Sequence, residues 1–357
     1  MILSLLLIGL STYIIWKASA SFDLASSFLT RHLSEGIKGP TVNAIASSLP
    51  ELLISFFFLF YIGDIQGFSA GFATIIGSSI FNIAIIPAAS FLIVYYTKGV
   101  STFPTNKKII EQDGFFLLVT VLALVVGLYV GGISILFSVI LILLYGAYIF
   151  LVFLKRGGQS QPIPNTEVYE LTTSNNSLWK KIISLDFAAL VLRNKSLTTT
   201  NSLIIFIISL VVISASCKQL VHSSEHLSEL LNVNIFFVTF FITAVASSIP
   251  DLVLSIKDAK NEKYKDAFSN AYGSNIFDIC IGIGLPVLIY LLVNGQNELS
   301  TSTSSFSNEI IFSSSILLLL FSVIITAVYW LKSINFARGI FVIILYVLFL
   351  LLIFLMS

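Results

Sequence analysis

Ala44-Ile-Ala-Ser-Ser-Leu-Pro-Glu51 and Ala244-Val-Ala-Ser-Ser-Ile-Pro-Asp251 are two copies of one motif, each ending in a carboxylate directly after a proline. Each is followed by a second, shorter motif: Gly77-Ser-Ser-Ile-Phe-Asn82 after the first and Gly273-Ser-Asn-Ile-Phe-Asp278 after the second. Composite motifs recurring in one order divide the chain into two related halves. His32-Leu-Ser-Glu35 and His226-Leu-Ser-Glu229 extend the match, as do Lys17 and Lys218 in the opening helix of each half.

These polar groups stand in an apolar setting. Of 357 residues, 57% are hydrophobic and only 10% charged, and the mean hydropathy of +0.98 excludes an ordinary soluble domain in favour of an all-α polytopic membrane protein. A net charge of +1 and scattered basic residues give no support for nucleic-acid binding. Cys217 and Cys280 both lie in apolar segments, so neither a disulfide framework nor a thiolate metal site is indicated.

Runs of roughly 20 residues, long enough to cross a bilayer, fall near 2–30, 40–61, 68–97, 115–131, 133–154, 201–222, 234–256, 266–293, 309–331 and 337–356, which makes ten spans. Val130-Gly-Gly-Ile133 is the turn signal that parts the fourth from the fifth. Met1 to Trp16 lacks a basic leading region and a clear cleavage site, so it reads as part of a first membrane helix rather than a signal peptide. With the N-terminus outside, every Lys and Arg except Lys17 and Lys218 falls in a cytoplasmic loop or its flank, the bias that inner loops carry. Both termini are then outside, and the polar segment 155–200 is a cytoplasmic linker between a first five-helix repeat, 1–154, and a second, 201–357. Within the linker, Leu178 to Phe187 has the pattern of a short interfacial helix. Five is odd, so the two repeats enter the membrane from opposite sides, the inverted arrangement of secondary transporters whose sites lie near the midplane.

Chemistry follows from the repeated segments. A proline in a helix withholds an N–H from the carbonyl four residues earlier, here those of Ala46 and Ala246, and freed oxygens at membrane depth must be met by protein, water or an ion. Beside them stand Ser47 and Ser48, Ser247 and Ser248, and the carboxylates of Glu51 and Asp251. The shorter motifs add Ser78 and Ser274 and, at i, i+4 on the same face, Asn82 and Asp278. Such an all-oxygen set suits hard cations. A carboxylate at mid-span costs at least about 2.5–3.5 kcal/mol on insertion scales, and a bound cation explains three of them better than helix packing does. His222, Glu225, His226 and Glu229 share a spacing that suits a transition metal, although a solvated helix end accounts for them more simply.

In these residues the chain resembles the sodium/calcium exchangers of the calcium/cation antiporter superfamily, which carry paired G-[ST]-S-x-P-[ED] and G-S-x-x-x-[ND] segments on the second, third, seventh and eighth of ten helices. The resemblance implies Glu51 and Asp251 as central calcium ligands and Asn82 and Asp278 as flanking ones. It further implies sodium sites completed by Ser48, Ser78, Ser248 and Ser274 and by carbonyls near Ala44, Ser47, Ala244 and Ser247. Ala46 and Ala246 replace the family's usual glycine, and Asp251 replaces the glutamate common in prokaryotic members. The second-half segments look more like those of potassium-dependent exchangers, in which an aspartate at the position of Asp278 is linked to K⁺, though some potassium-independent members share it. The implied function is alternating-access exchange of Ca²⁺ for Na⁺ across the cell membrane, with no permanently bound cofactor. Proton/cation exchange is the runner-up, since Glu51 or Asp278 can carry a proton instead. A cation channel built on the acidic ring is more remote, and so is an intramembrane aspartyl protease, whose Gly-x-Gly-Asp segment is missing here.

Overall fold

The computed structural model describes residues 1–33, 37, 39–102, 110–130, 132–156, 185–192, 197–262, 264–299, 305–331 and 333–356. Among them nine helices are long and apolar enough to cross a bilayer, and the spans number ten when Thr41–Ser47 and Leu49–Ile62, bent by 48°, are taken as one. We label the helices α1 (Ile2–Leu29), α2 (Leu49–Ile62), α3 (Asp64–Lys98), α4 (Phe115–Val130), α5 (Ile135–Arg156), α6 (Thr199–Leu231), α7 (Ala244–Lys260), α8 (Tyr264–Phe277), α9 (Ser305–Leu331) and α10 (Phe336–Phe354). A single turn, Ala44–Ser47, precedes α2, while α8 runs on through a π-helical stretch, Asp278–Ile283, into Gly284–Val293. The chain is an integral membrane protein built of two inverted repeats. Both halves carry the same local signature, a five-residue π turn immediately before the motif: Gly39–Asn43 ahead of Ala44 and Thr239–Thr243 ahead of Ala244.

Proline decides where the second span breaks. The sequence predicts one helix over 40–61, yet the chain bends at Ser48 and Pro50 takes the first turn of α2, where a missing N–H leaves no bond unmade. Pro250 has the opposite fate, lying inside an α7 that continues through it. The turn signal at 130–133 holds: α4 ends at Val130 and α5 begins at Ile135. Most of 155–200, including nearly all of the segment read as an interfacial helix, lies outside the described residues. At its edge a short helix, Phe187–Leu192, packs Ala188 and Leu192 against Ala25 and Ile205.

Loops that the sequence puts on one side of the membrane meet in space. The α4–α5 turn bridges to the connection after α8 at Ser134 and Glu298, reinforced by Leu299 N–H to Ile133 O at 2.9 Å and Ile135 N–H to Asn297 O at 3.0 Å. At the other end Lys98 pairs with Glu262 at 3.2 Å and Trp330 donates to Glu111 at 3.2 Å.

Two assemblies surround the motifs. α1 and α6 pack against one another along their length and run antiparallel, since Phe22 near the end of one stacks on Phe206 near the start of the other at 4.4 Å. Each presents a buried row of four small side chains spaced seven residues apart, Ser4, Ser11, Ala18 and Ala25 on α1 and Ser202, Ser209, Ser216 and Ser223 on α6, the close-packing pattern of membrane helices. α3 is the central helix, buried over most of its length from Ile65 to Val94. At Gly77 it presses on the π turn before α7: a Cβ there would sit 2.7 Å from both Phe240 O and Ala244 Cβ. Gly77→Val is therefore expected to overpack the contact by about 1–3 kcal/mol, read as a lower thermal midpoint of the detergent-solubilised protein. An unchanged midpoint would show that the two helices separate without cost.

Candidate ion-binding site

The four motif segments converge at the interface between the halves. Ser47 of the first motif and Ser274 of the last approach at 3.3 Å. Ser248 Oγ donates to Glu51 Oε1 at 3.4 Å, so the two longer motifs touch directly. The two shorter ones meet where Asn275 Nδ2 donates to Ser79 O at 2.8 Å. Glu51, Asp251 and Asp278 are 0%, 1% and 0% exposed, and the three carboxylates lie within one another's electrostatic reach. Ser247 flanks Glu51, Ser47 and Ser274 flank Asp251, and Ser48 flanks Asp278.

Local geometry explains why these oxygens face inward. Ser47 Oγ bonds back to Asn43 O at 2.9 Å and Ser78 Oγ to Ile75 O at 3.0 Å, while Ser247 Oγ bonds to Ala244 O at 3.1 Å. Each such bond uses the hydroxyl proton and leaves oxygen lone pairs for another partner. Ala44 O accepts the Ser48 N–H at 3.0 Å and Ala244 O the Ser247 hydroxyl, so in this conformation both carbonyls are already engaged.

Several buried polar atoms have no partner at all. Glu51 Oε2, Asp251 Oδ2, both oxygens of Asp278, Ser48 Oγ and both side-chain atoms of Asn82 lack a hydrogen bond. Each unmet polar atom in a dry interior costs on the order of 1–3 kcal/mol, and a charged one more. Unmet hydroxyls occur elsewhere along the helices, as at Ser202 and Ser209, but here three carboxylates and an amide are gathered with them, a set that a cation would fill. The donors are hydroxyl, amide and carboxylate oxygens, which suit Ca²⁺, Na⁺ and K⁺ rather than soft metals. Among the described residues no three Asp, Glu, His or Cys side chains cluster as a resident metal centre would. That absence extends to His222, Glu225, His226 and Glu229: His222 packs edge-on against Tyr61 at 4.1 Å, and His226 and Glu229 form an exposed pair at 3.6 Å.

Two residues escaped the sequence reading. Asn270, one turn before the last motif, donates to Asp251 Oδ1 at 3.3 Å while its own oxygen is unmet. Asn275, inside that motif, likewise keeps a free buried oxygen. The first half has Thr74 and Ser79 at the matching places, so no repeat drew attention to them. Asn270→Ala should weaken calcium half-saturation about 10–100-fold, the usual effect of losing a group that orients a ligand, with folding intact by size exclusion. Unchanged calcium dependence would remove Asn270 from the site.

One way in is open. A cavity of about 90 Å³, room for several waters, is lined by Trp16, Ser19 and Asp23 of α1, by Ala46 and Ser47, and by Pro250 and Lys257 of α7. Lys257 is exposed, so the cavity leads from that end of the molecule to Ser47 among the motif oxygens.

An inverted-repeat membrane protein with a buried, oxygen-lined site between its repeats is the architecture of a secondary transporter. The chain belongs to the sodium/calcium exchanger protein family, whose model matches residues 3–154 and 201–355. It is 26% identical to an uncharacterized membrane protein of Methanocaldococcus jannaschii over 272 residues, 76% of each chain. It is 31% identical to sodium/potassium/calcium exchanger 1 of Bos taurus over 101 residues, 28% of this chain and 8% of the bovine one. Its fold is similar to a solved H⁺/Ca²⁺ exchanger, CAX (TM-score 0.61, 15% identity, 98% of this chain and 88% of that one). It is also similar to the sodium-calcium exchanger NCX_Mj soaked with Na⁺ and Sr²⁺ (TM-score 0.56, 24% identity, 97% of each).

Proposed function

We propose that the protein is an alternating-access antiporter that exchanges cytosolic Ca²⁺ for external Na⁺ at one shared set of sites. The observation that carries this reading is the convergence of Glu51, Asp251 and Asp278, all but fully buried, with unmet oxygens on each. Glu51 and Asp251 are the central calcium ligands, flanked by Asn82 and Asp278; Ser47, Ser48, Ser78, Ser247, Ser248 and Ser274, with the carbonyls of Ala44 and Ala244, complete the sodium positions. Ca²⁺ and several Na⁺ compete for the same carboxylates. An occupied, neutralised site can reorient, whereas an empty charged one is held back by the cost of moving bare charge through a dry interior. The α1–α6 pair moves against the rest and carries access from one side to the other. The protein sits in the plasma membrane with both termini outside and the 155–200 linker in the cytosol, supported by the distribution of Lys and Arg.

Charge balance bears on the co-ion. Three carboxylates carry three negative charges and Ca²⁺ neutralises two, so one monovalent cation accompanies calcium. Local similarity to sodium/potassium/calcium exchangers supports K⁺ in that role, next to Asp278. The likeness to the H⁺/Ca²⁺ exchanger supports a proton as the rival. Radiocalcium uptake into proteoliposomes under an imposed Na⁺ gradient, with and without K⁺ and with a pH gradient alone, separates the readings. Calcium flux that ignores sodium sinks the exchange proposal, and uptake driven by the pH gradient alone transfers it to the proton.

A further inference from the structure

At the end of the molecule opposite Lys257 a second cavity, about 470 Å³, opens between the end of α2 and the approach to α7. Its lining is polar: Gln66 and Ser69 come from α3, Glu225 and Glu229 from α6, and Asn232 and Asn234 from the α6–α7 connection. No Lys or Arg is among the lining residues. Glu225 and Glu229 are one helical turn apart and so share a face, where two like charges without a cation between them weaken the helix. The charged groups around them offer little relief. His222 lies beside Glu225 with its ring packed on Tyr61, and His226 meets Glu229 at 3.6 Å with both side chains well exposed, where solvent screens the pair.

Ser69 supplies the independent observation. It is 2% exposed, lines the cavity, and its Oγ has no hydrogen-bond partner. Asn234 is committed elsewhere, capping α7's approach through Phe236 N–H at 2.9 Å. The remaining donors are therefore two carboxylates, the hydroxyls of Ser69 and Ser228 and the amides of Gln66 and Asn232, all hard oxygens. The space is far larger than a bare ion, so the occupant keeps much of its water.

We infer that this cavity is a second cation site, separate from the transport site, which takes a hydrated divalent cation such as Ca²⁺ with low affinity. Acidic groups at a cavity mouth concentrate counter-ions and raise their encounter rate, so on the proposed sidedness the site collects external cations. Binding itself does not depend on the transport reading.

The test uses the purified full-length chain in nanodiscs carrying Glu51→Gln, which disables the transport site, and titrates Ca²⁺ by equilibrium binding of radiocalcium. A weak class of one ion, with Kd on the order of 10⁻⁴–10⁻³ M as in other loosely built oxygen sites, is expected to persist. Adding Glu225→Gln and Glu229→Gln should weaken that class at least about 10-fold, and Ser69→Ala should weaken it less; size exclusion checks that each variant remains folded. A weak class that survives loss of both glutamates, or no weak class at all, overturns the inference. If wild-type protein shows no sodium-driven calcium uptake while the weak class behaves as described, the exchange reading fails and this one stands.

Discussion

Glu51→Gln is expected to abolish sodium-driven calcium uptake, leaving proteoliposomes indistinguishable from empty ones. A unit-charge pair about 4 Å apart is worth about 4 kcal/mol at an effective dielectric of about 20, and a divalent ion doubles it. If desolvation offsets half, about 4 kcal/mol remains, roughly a thousandfold in calcium affinity. Glutamine has nearly the same volume and can still accept from Ser248, which now reaches Glu51 at 3.4 Å, so packing is preserved. Loss of uptake with an unchanged thermal midpoint assigns the charge itself to ion binding. Uptake within about twofold of wild type would remove Glu51 from the site and with it the central claim.

Asp278→Asn should change the kind of transport rather than only its rate. Position 278 is fully buried with both oxygens unmet, and its repeat partner is the neutral Asn82. With asparagine in both places the site carries two negative charges, which Ca²⁺ alone balances. Wild-type uptake is expected to rise with added K⁺, whereas the variant should lose that stimulation and show a sodium Hill coefficient lower by about one. Potassium stimulation that persists in the variant would place the co-ion elsewhere. Wild-type uptake indifferent to K⁺ but steeply dependent on pH would hand the third charge to a proton.

Most of the architecture was legible because hydropathy and repetition are both carried by the linear sequence. Ten apolar runs, the turn at 130–133 and two five-helix repeats needed no tertiary information, and loop partners such as Ser134 with Glu298 respect the inferred sidedness. Pro50 and Pro250 show where such reading stops. The same residue in the same motif opens a helix in one half and lies within a continuous one in the other, since the surrounding packing decides which backbone bonds are made. The candidate site was legible where its motifs repeat. Asn270 and Asn275 were missed because Thr74 and Ser79 occupy the equivalent places, and because a free amide oxygen becomes visible only once its neighbours are known. The π turns before Ala44 and Ala244 were equally hidden, for Gly39–Asn43 and Thr239–Thr243 share only the Val42/Ile242 match and a polar last residue.

The contact at Gly77 has a consequence for how such a protein can diversify. With α3 pressed onto the turn ahead of α7, the helices that carry the motifs are tightly packed on one another, while the seam of small side chains lies between α1 and α6. On the proposed function, ion preference is then set at the motifs and turnover speed at the α1–α6 seam. On that same proposal, a changed side chain at position 82 or 278 would trade one cargo for another without altering the α1–α6 seam.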